Sequence, residues 1–319
     1  MKNVLITGCA GFIGFHLCNS LLKSNFNIFG IDNLNDYYDV KLKKDRLKIL
    51  KKNKKKFFFY RLDINNYEKL FKKLNSLKID MVINLAAQAG VRYVYENPPA
   101  YFESNIRGFF NILELMRIKK INFLLYASTS SVYGNNKNPF VETQSTDSQI
   151  QFYAATKKCN EIIANSYHEM FKINSIGLRF FTVYGPWGRP DMSIFKFTKN
   201  ILENKPISVF NNGNHLRDFT YVDDIVKGIS LLIKSKPLGH NIFNIGNNNQ
   251  VSLMELIKKL ESCLSNKAKK KFLKMQKGDI HQTKSNTSKL NSLTGYQSSI
   301  DIDTGLKNFV NWFKEYYRV

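Results

Sequence analysis

The sequence predicts an α/β fold: a doubly wound parallel sheet with a smaller α/β domain interleaved with it. Three observations carry that expectation. Short apolar runs alternate with helix-period segments, giving five strands before residue 130 with helices between them. The first run opens directly into glycines spaced three apart, Gly8, Gly11 and Gly14. Beyond Arg179 the alternation loosens into loops dense in glycine, proline and charged residues, as expected of a second region.

Val4-Leu5-Ile6 reads as a buried strand, and Leu17, Leu21 and Leu22 give the helix after the glycines its apolar stripe. Glycines between a strand and a helix let the backbone turn tightly and approach a pyrophosphate, which then rests on the helix N-terminus. A second strand, Asn27 to Ile31, ends at Asp32, eighteen residues after Gly14. A carboxylate there accepts hydrogen bonds from an adenosine ribose 2′-hydroxyl, which points to NAD rather than NADP and makes the fold a Rossmann sheet. Asn33 to Asp39 form a loop beside the cofactor or substrate, and the lysine-rich helix after it reads as a solvated surface helix. Phe57 to Asp63 is a third strand. Its Asp63 is placed to reach an adenine or to cap the helix from Tyr67 to Leu77.

Met81 to Leu85 is a fourth strand, running into the small residues Ala86 and Ala87, against which a ligand can lie. A helix is expected from about Ala100 to Met116. Phe123 to Ala127 is a fifth strand, with Ser128-Thr129-Ser130-Ser131 at its C-terminal end, where open α/β sheets bind ligands. The same hydroxyls also suit a local Ser/Thr turn. Further on, Asn241 to Gly246 reads as a strand returning to the main sheet, with helices near Leu253–Leu264 and Leu306–Tyr317. The NAD-binding domain is expected to span 1–179 plus about 218–246, and the substrate domain about 180–217 plus 247–319.

Within 319 residues the hydrophobic fraction is 43%, that of a globular chain, and no apolar run reaches the roughly 18 residues of a membrane span. Cys9, Cys18, Cys159 and Cys263 are scattered without a C-x-x-C pair, so free thiols, no metal site and a cytoplasmic location are expected. The net charge of +23 is concentrated: Lys41–Lys56 and Lys267–Lys277 together hold 15 of it. Neither cluster has the regular aromatic interleaving that stacks bases, so a nucleic-acid partner is not expected. An anionic sugar nucleotide suits a basic protein at least as well.

Tyr153-Ala154-Ala155-Thr156-Lys157 opens an amphipathic helix on which residues four apart share a face, placing the Tyr153 phenol beside the Lys157 ammonium. A free tyrosine titrates near a pKa of about 10. A neighbouring cation lowers that value toward the range of a general base.

Taken together, D-N-L-N-D-Y-Y-D from Asp32, A-A-Q-A-G-V-R from Ala86, Y-A-A-T-K from Tyr153 and R-F-F-T-V-Y-G-P-W-G-R-P-D-M from Arg179 resemble the extended short-chain dehydrogenase/reductase family. Within it the chain is similar to NAD-dependent nucleotide-sugar epimerases, most closely to UDP-glucuronate 4-epimerases. A weaker echo lies in Gln276-Lys277-Gly278-Asp279. The resemblance implies Tyr153 as base, Lys157 as its electrostatic partner and nicotinamide-ribose ligand, and Thr129 as a hydroxyl bridging Tyr153 and the sugar. It implies cofactor contacts from Gly8, Gly11, Phe12, Ile13, Gly14, Asp32, Asn33, Asp63, Ile64, Leu85, Ala86 and Ala87. Arg217 is implied at the UDP diphosphate, Arg189 and Ser131 near the glucuronate carboxylate, and Arg92, Ser130, Thr182 and Asp279 as further substrate contacts. Decarboxylating relatives resemble T-S-E-V-Y-G where this chain reads Thr129-Ser130-Ser131-Val132-Tyr133-Gly134, without an acid, which favours plain epimerisation. UDP-glucose 4-epimerase, with the same mechanism on a neutral sugar, is the alternative. A homodimer is implied through the helices at about Ala100–Met116 and Tyr153–Phe171.

Overall fold

The structure, a computed structural model, describes residues 1–276 and 278–319. Lys277, within the second lysine cluster and the G-D echo, lies outside the described residues. The first half is the expected alternation. Strand β1 (Lys2–Thr7) leads to helix α1 (Phe12–Leu22), β2 (Phe26–Asp32), α2 (Val40–Leu50), β3 (Phe57–Arg61), α3 (Tyr67–Leu74) and β4 (Met81–Asn84). A helical stretch follows, α4 (Pro98–Tyr101), then a π-helical turn over Phe102–Arg107 and α5 (Gly108–Ile118). Next come β5 (Phe123–Thr129), α6 (Phe152–Phe171), β6 (Asn174–Phe180) and β7 (Thr182–Tyr184). The rest is α7 (Ser193–Leu202), β8 (Ile207–Phe210), β9 (Leu216–Tyr221), α8 (Val222–Ser235) and β10 (His240–Ile245), then β11 (Gln250–Ser252), α9 (Leu253–Leu264), β12 (Lys270–Leu273), α10 (Ser288–Thr294) and α11 (Ile302–Tyr317).

Seven strands form one parallel sheet in the order β3-β2-β1-β4-β5-β6-β10. The order reverses between β1 and β4, so the loops leaving those strands diverge and open a crevice at their C-terminal ends. One face of the sheet packs on α1 and α8 through Leu17, Leu21, Ile225 and Ile229; the other packs on α3, α5 and α6 through Leu70, Phe109, Ile112 and Ala164. Sheets covered on both faces bury their strands completely, and Val82, Ile83, Leu124 and Leu125 are all fully buried.

A separate core, with Phe195, Ile201, Val209, Leu256, Leu260 and Phe309, gathers α7, α9 and α11 around two small sheets, β11-β9-β7 and β12-β8. The boundary read at 218 falls inside β9, whose Phe219–Tyr221 pair with β7 and whose Leu216–Asp218 pair with β11. The chain then returns to the main sheet through α8 and β10.

Two expectations are corrected here. The cap of α3 is Asn66, whose side chain accepts from the Lys69 N–H at 3.0 Å, and the helix stops at Leu74. Asp63 instead accepts from the Asn65 N–H and from Asn33 Nδ2, both at 2.9 Å. The α2 helix is not wholly a solvated surface. Lys43 and Arg46 are buried on the face that also holds Leu42, Leu47 and Leu50.

Candidate active site

A cavity of about 300 Å³ occupies the crevice at the strand ends. Its floor is the glycine turn. A Cβ at Gly8 would stand 2.8 Å from the Ala86 nitrogen, and one at Gly14 would run into the Gly8 carbonyl oxygen. Only hydrogen fits at either place. Gly11 caps α1 without a side-chain hydrogen bond, so the first-turn N–H groups stay available to an anion. At the end of β2, Asp32 accepts from the Ala10 N–H (3.1 Å) and the Leu34 N–H (2.9 Å), which fixes its carboxylate in the cavity wall. Burial pushes the Asp32 carboxyl up, while these bonds and the Lys43 charge act against that shift. Gly8, Gly11, Phe12, Ile13, Gly14, Asp32, Asn33, Asp63, Ile64, Leu85, Ala86 and Ala87 all line this one cavity. A glycine cradle, an uncapped helix start and a carboxylate beyond them fit a dinucleotide.

At the other end of the cavity stand Thr129, Tyr153, Lys157 and Arg189. Helix α6 supplies Tyr153 and Lys157 on one face. The Lys157 ammonium is buried and donates to the Ala127 carbonyl at 2.9 Å, and burial lowers its pKa to about 8. Here the electrostatics differ from the sequence expectation. Burial pushes the Tyr153 phenol up. The cation that pulls it back is Arg189, helped by the Thr129 hydroxyl, rather than Lys157. Thr129 also makes the local turn that its sequence allowed, accepting from the Ser131 N–H at 3.2 Å.

Arg189 follows β7 in the loop to α7. Its guanidinium meets Asp191 through two bonds of 3.0 and 2.6 Å. Burial opposes both charges, yet the pair holds Asp191 below the usual carboxylate range and Arg189 firmly protonated.

Other expected substrate residues lie outside this cavity. Ser130 and Ser131 form the 3-10 turn at its rim, and Thr182 lines a small adjoining cavity with Arg189 and Phe309. Arg217, Asp279 and Arg92 form a second cluster. Arg217 donates to Asp279 at 2.8 Å, Arg92 stands 4.0 Å from the same carboxylate, and the Arg92 guanidinium lies over the Phe210 ring.

Three residues without a role in the sequence reading support the site from behind. Asn105, on the π turn, donates to the Gln88 carbonyl and to Thr156 Oγ1, both at 3.0 Å, and accepts from the Gln88 N–H at 2.8 Å. It thus ties the cavity wall to α6 one turn from Tyr153. Glu161, one turn beyond Lys157, forms a buried bidentate pair with Arg179 of β6 and accepts from Ser128 Oγ at 2.6 Å. Its signal in the sequence was its spacing, on the face shared by Tyr153 and Lys157. Arg46 donates to the carbonyls of Ala10 (2.7 Å) and Trp187 (2.5 Å), joining the glycine turn to the Arg189 loop. Its signal was an arginine at the helical spacing of Leu42 and Leu50.

A Rossmann sheet with a dinucleotide cradle at one end of its crevice and a tyrosine–lysine helix at the other defines a nicotinamide-dependent enzyme of the short-chain type. Residues 4–246 match the NAD dependent epimerase/dehydratase family, and the chain belongs to it. The protein is therefore an NAD-dependent epimerase-class enzyme. It is 50% identical over 317 residues to an uncharacterized protein of Methanocaldococcus jannaschii, covering 98% of this chain and 97% of the relative. It is 46% identical over 316 residues to a UDP-glucuronate 4-epimerase of Thermodesulfobacterium geofontis, covering 99% and 97%. Among solved structures it superposes on the Bacillus cereus UDP-glucuronic acid 4-epimerase in complex with UDP-glucuronic acid and NAD. The TM-score is 0.93 at 35% identity, and the match covers 99% of this chain and 100% of that one.

Proposed function

We infer that the protein interconverts UDP-glucuronate and UDP-galacturonate through a 4-keto intermediate. The observation that carries this reading is Arg189 in the wall of the cavity that holds Tyr153, with its charge acting on the phenol. A permanent cation beside the reacting centre suits a sugar that carries a carboxylate. Gly8, Gly11, Gly14 and Asp32 would hold NAD, which would supply a reversible hydride acceptor for sugar carbon 4, so no net redox occurs.

The chain's own residues handle the protons and the position of the sugar. Tyr153, as phenolate, takes the proton of the 4-hydroxyl and later returns it, with Thr129 bridging the two oxygens. Lys157, which donates to the Ala127 carbonyl, would hold the nicotinamide ribose. The keto intermediate is a β-keto acid and loses carbon dioxide when the bond to its carboxylate lies parallel to the carbonyl π system. Arg189 and Ser131 hold the carboxylate away from that alignment, and Ser131 stands where an acid would assist the loss. The separate Arg217–Asp279–Arg92 cluster takes the UDP part, and Ser130 and Thr182 make further contacts with the substrate. This division gives the NAD site to the main sheet and the nucleotide sugar to the region built on α7, α9 and α11.

We place the enzyme in the cytoplasm, where its four free thiols suit a reducing medium, and no helix of the described residues is long and apolar enough to cross a membrane. We also propose a homodimer through α5 and α6. The test of function is incubation with UDP-glucuronate and, separately, UDP-glucose without added NAD, following the sugar protons by nuclear magnetic resonance. Conversion of UDP-glucuronate alone is expected. Conversion of UDP-glucose alone would keep the mechanism and overturn the role given to Arg189 and Ser131.

A further inference from the structure

Arg189 is held on one edge before any substrate is considered. Its Nε donates to Asp191 Oδ1 at 3.0 Å and its Nη2 to Asp191 Oδ2 at 2.6 Å. Asp191 in turn accepts from the Tyr37 hydroxyl at 3.3 Å, and the Tyr37 ring packs on Tyr93 with centroids 4.9 Å apart. Both charged side chains are shielded, at 19% and 27% exposure. The backbone closes in behind them: a Cβ on Gly90 would stand 2.9 Å from the Tyr37 hydroxyl, 3.6 Å from Arg189 Nη2 and 3.7 Å from Asp191 Oδ2. On the far side, Arg46 grips the Trp187 carbonyl and keeps the loop itself in place.

A guanidinium offers a carboxylate two bidentate edges, Nε with one Nη and the two Nη together. Asp191 occupies the first. Among the described residues, Arg189 Nη1 donates to no protein acceptor. Arg189 lines the reaction cavity together with Tyr153, Thr129 and Met192, whereas Asp191 stands behind it.

We propose that Asp191 is a specificity-determining positioning residue: by holding the Nε edge of Arg189 it fixes the guanidinium plane and leaves the Nη edge as the receptor for a substrate carboxylate. This rests on the reading of UDP-glucuronate as the substrate. Two effects of Asp191 oppose each other. Its negative charge subtracts from the attraction between Arg189 and an acidic sugar. Its hydrogen bonds order an otherwise mobile side chain in advance, which removes an ordering cost from binding. In a shielded pair with two bonds to one edge, orientation governs, because a second bidentate contact requires the guanidinium plane to be right. A hydroxymethyl group cannot make that contact, so a neutral sugar gains nothing from the arrangement.

The test is binding by isothermal titration calorimetry to the NAD-loaded enzyme, in a Tyr153→Phe background so that no turnover intervenes. The ligands are UDP-glucuronate, UDP-glucose and UDP, each measured with Asp191 intact and with Asp191→Asn and Asp191→Ala. The expected result is that Asp191→Ala weakens UDP-glucuronate at least tenfold and Asp191→Asn weakens it less, while UDP-glucose and UDP stay within twofold. Equal weakening of all three ligands would show a merely structural role and overturn the proposal. So would an unchanged ratio of UDP-glucuronate to UDP-glucose affinity, or tighter UDP-glucuronate binding, the outcome expected if charge outweighs orientation. NAD content of each variant reports folding. Turnover of the unmodified enzyme is read separately: its absence would remove the substrate assignment, while the affinity ratio still decides the role of Asp191.

Discussion

Tyr153→Phe removes one oxygen and little else, since the ring edge that meets Tyr101 at 6.1 Å between centroids is kept. Turnover should fall by about 10²–10⁴-fold, the range contributed by a positioned general base, with bound NAD retained. Chromatography of nucleotide released from the denatured variant, beside the turnover assay, checks both halves. Lys157 makes a second prediction through its titration. Burial lowers its pKa from 10.5 to about 8, so between those values the unfolded chain binds a proton that the folded one does not. Stability gains from this residue as pH rises through that window. A Lys157→Met variant lacks the gain. The melting temperature of the variant minus that of the parent, both stripped of NAD, should therefore drop between pH 8 and 10.5. The limiting free-energy change is about 3 kcal/mol. A flat difference across the window would mean that Lys157 stays charged in the folded protein.

Among the elements, the glycine turn leaves no room for a side chain. In Gly14→Ala the new methyl would meet the Gly8 carbonyl oxygen, which belongs to rigid backbone rather than to a flexible side chain, so the turn itself must move. NAD retention should fall at least tenfold, with the rest of the fold intact by circular dichroism. Retention at the parent level would show that the turn has slack. This element was legible from the sequence because its information is local: a strand run, glycines at fixed spacing, a helical stripe and an acid, all within residues 4–32. The small sheet β11-β9-β7 was not. Its strands are three to six residues long, too short for a period to show, and its pairings join Thr182 to Phe219 and Gln250 to Asp218, partners that no local pattern links. The π turn at Phe102–Arg107 hides for the same reason. It changes the helical register with no glycine or proline inside it, and yet it aims Asn105 at Gln88 and Thr156. In α2 the sheer number of lysines masked Arg46, whose helical spacing placed it on the buried face.

Across the whole molecule, α6 has two jobs on opposite sides. Its inner face carries Tyr153, Lys157 and Glu161 to the strand ends, and the Glu161–Arg179 pair ties it to β6. Its outer face carries Ile162, Met170 and Phe171, and the neighbouring α5 carries Phe110, exposed between 39% and 66%. Phe110 meets Tyr167 of α6 edge-on at 6.4 Å, so the exposed side chains of the two helices form one surface rather than isolated residues. Ion pairs of Arg107 with Glu103 and of Arg117 with Glu114 flank it. An apolar centre bordered by charge is how a protein interface is arranged, and a stable one covers roughly 800 Å² on each partner. A second copy of this chain on that surface would press α6 from outside against the strands that it must meet with its catalytic face. Phe110→Lys together with Ile162→Lys should therefore convert a species of twice 37.0 kDa into one of 37.0 kDa in sedimentation velocity. Turnover should fall in proportion to the monomer fraction, because α6 loses that outer support, while NAD stays on the main sheet. A parent enzyme that sediments at 37.0 kDa at micromolar concentration would leave this surface without the partner assigned to it.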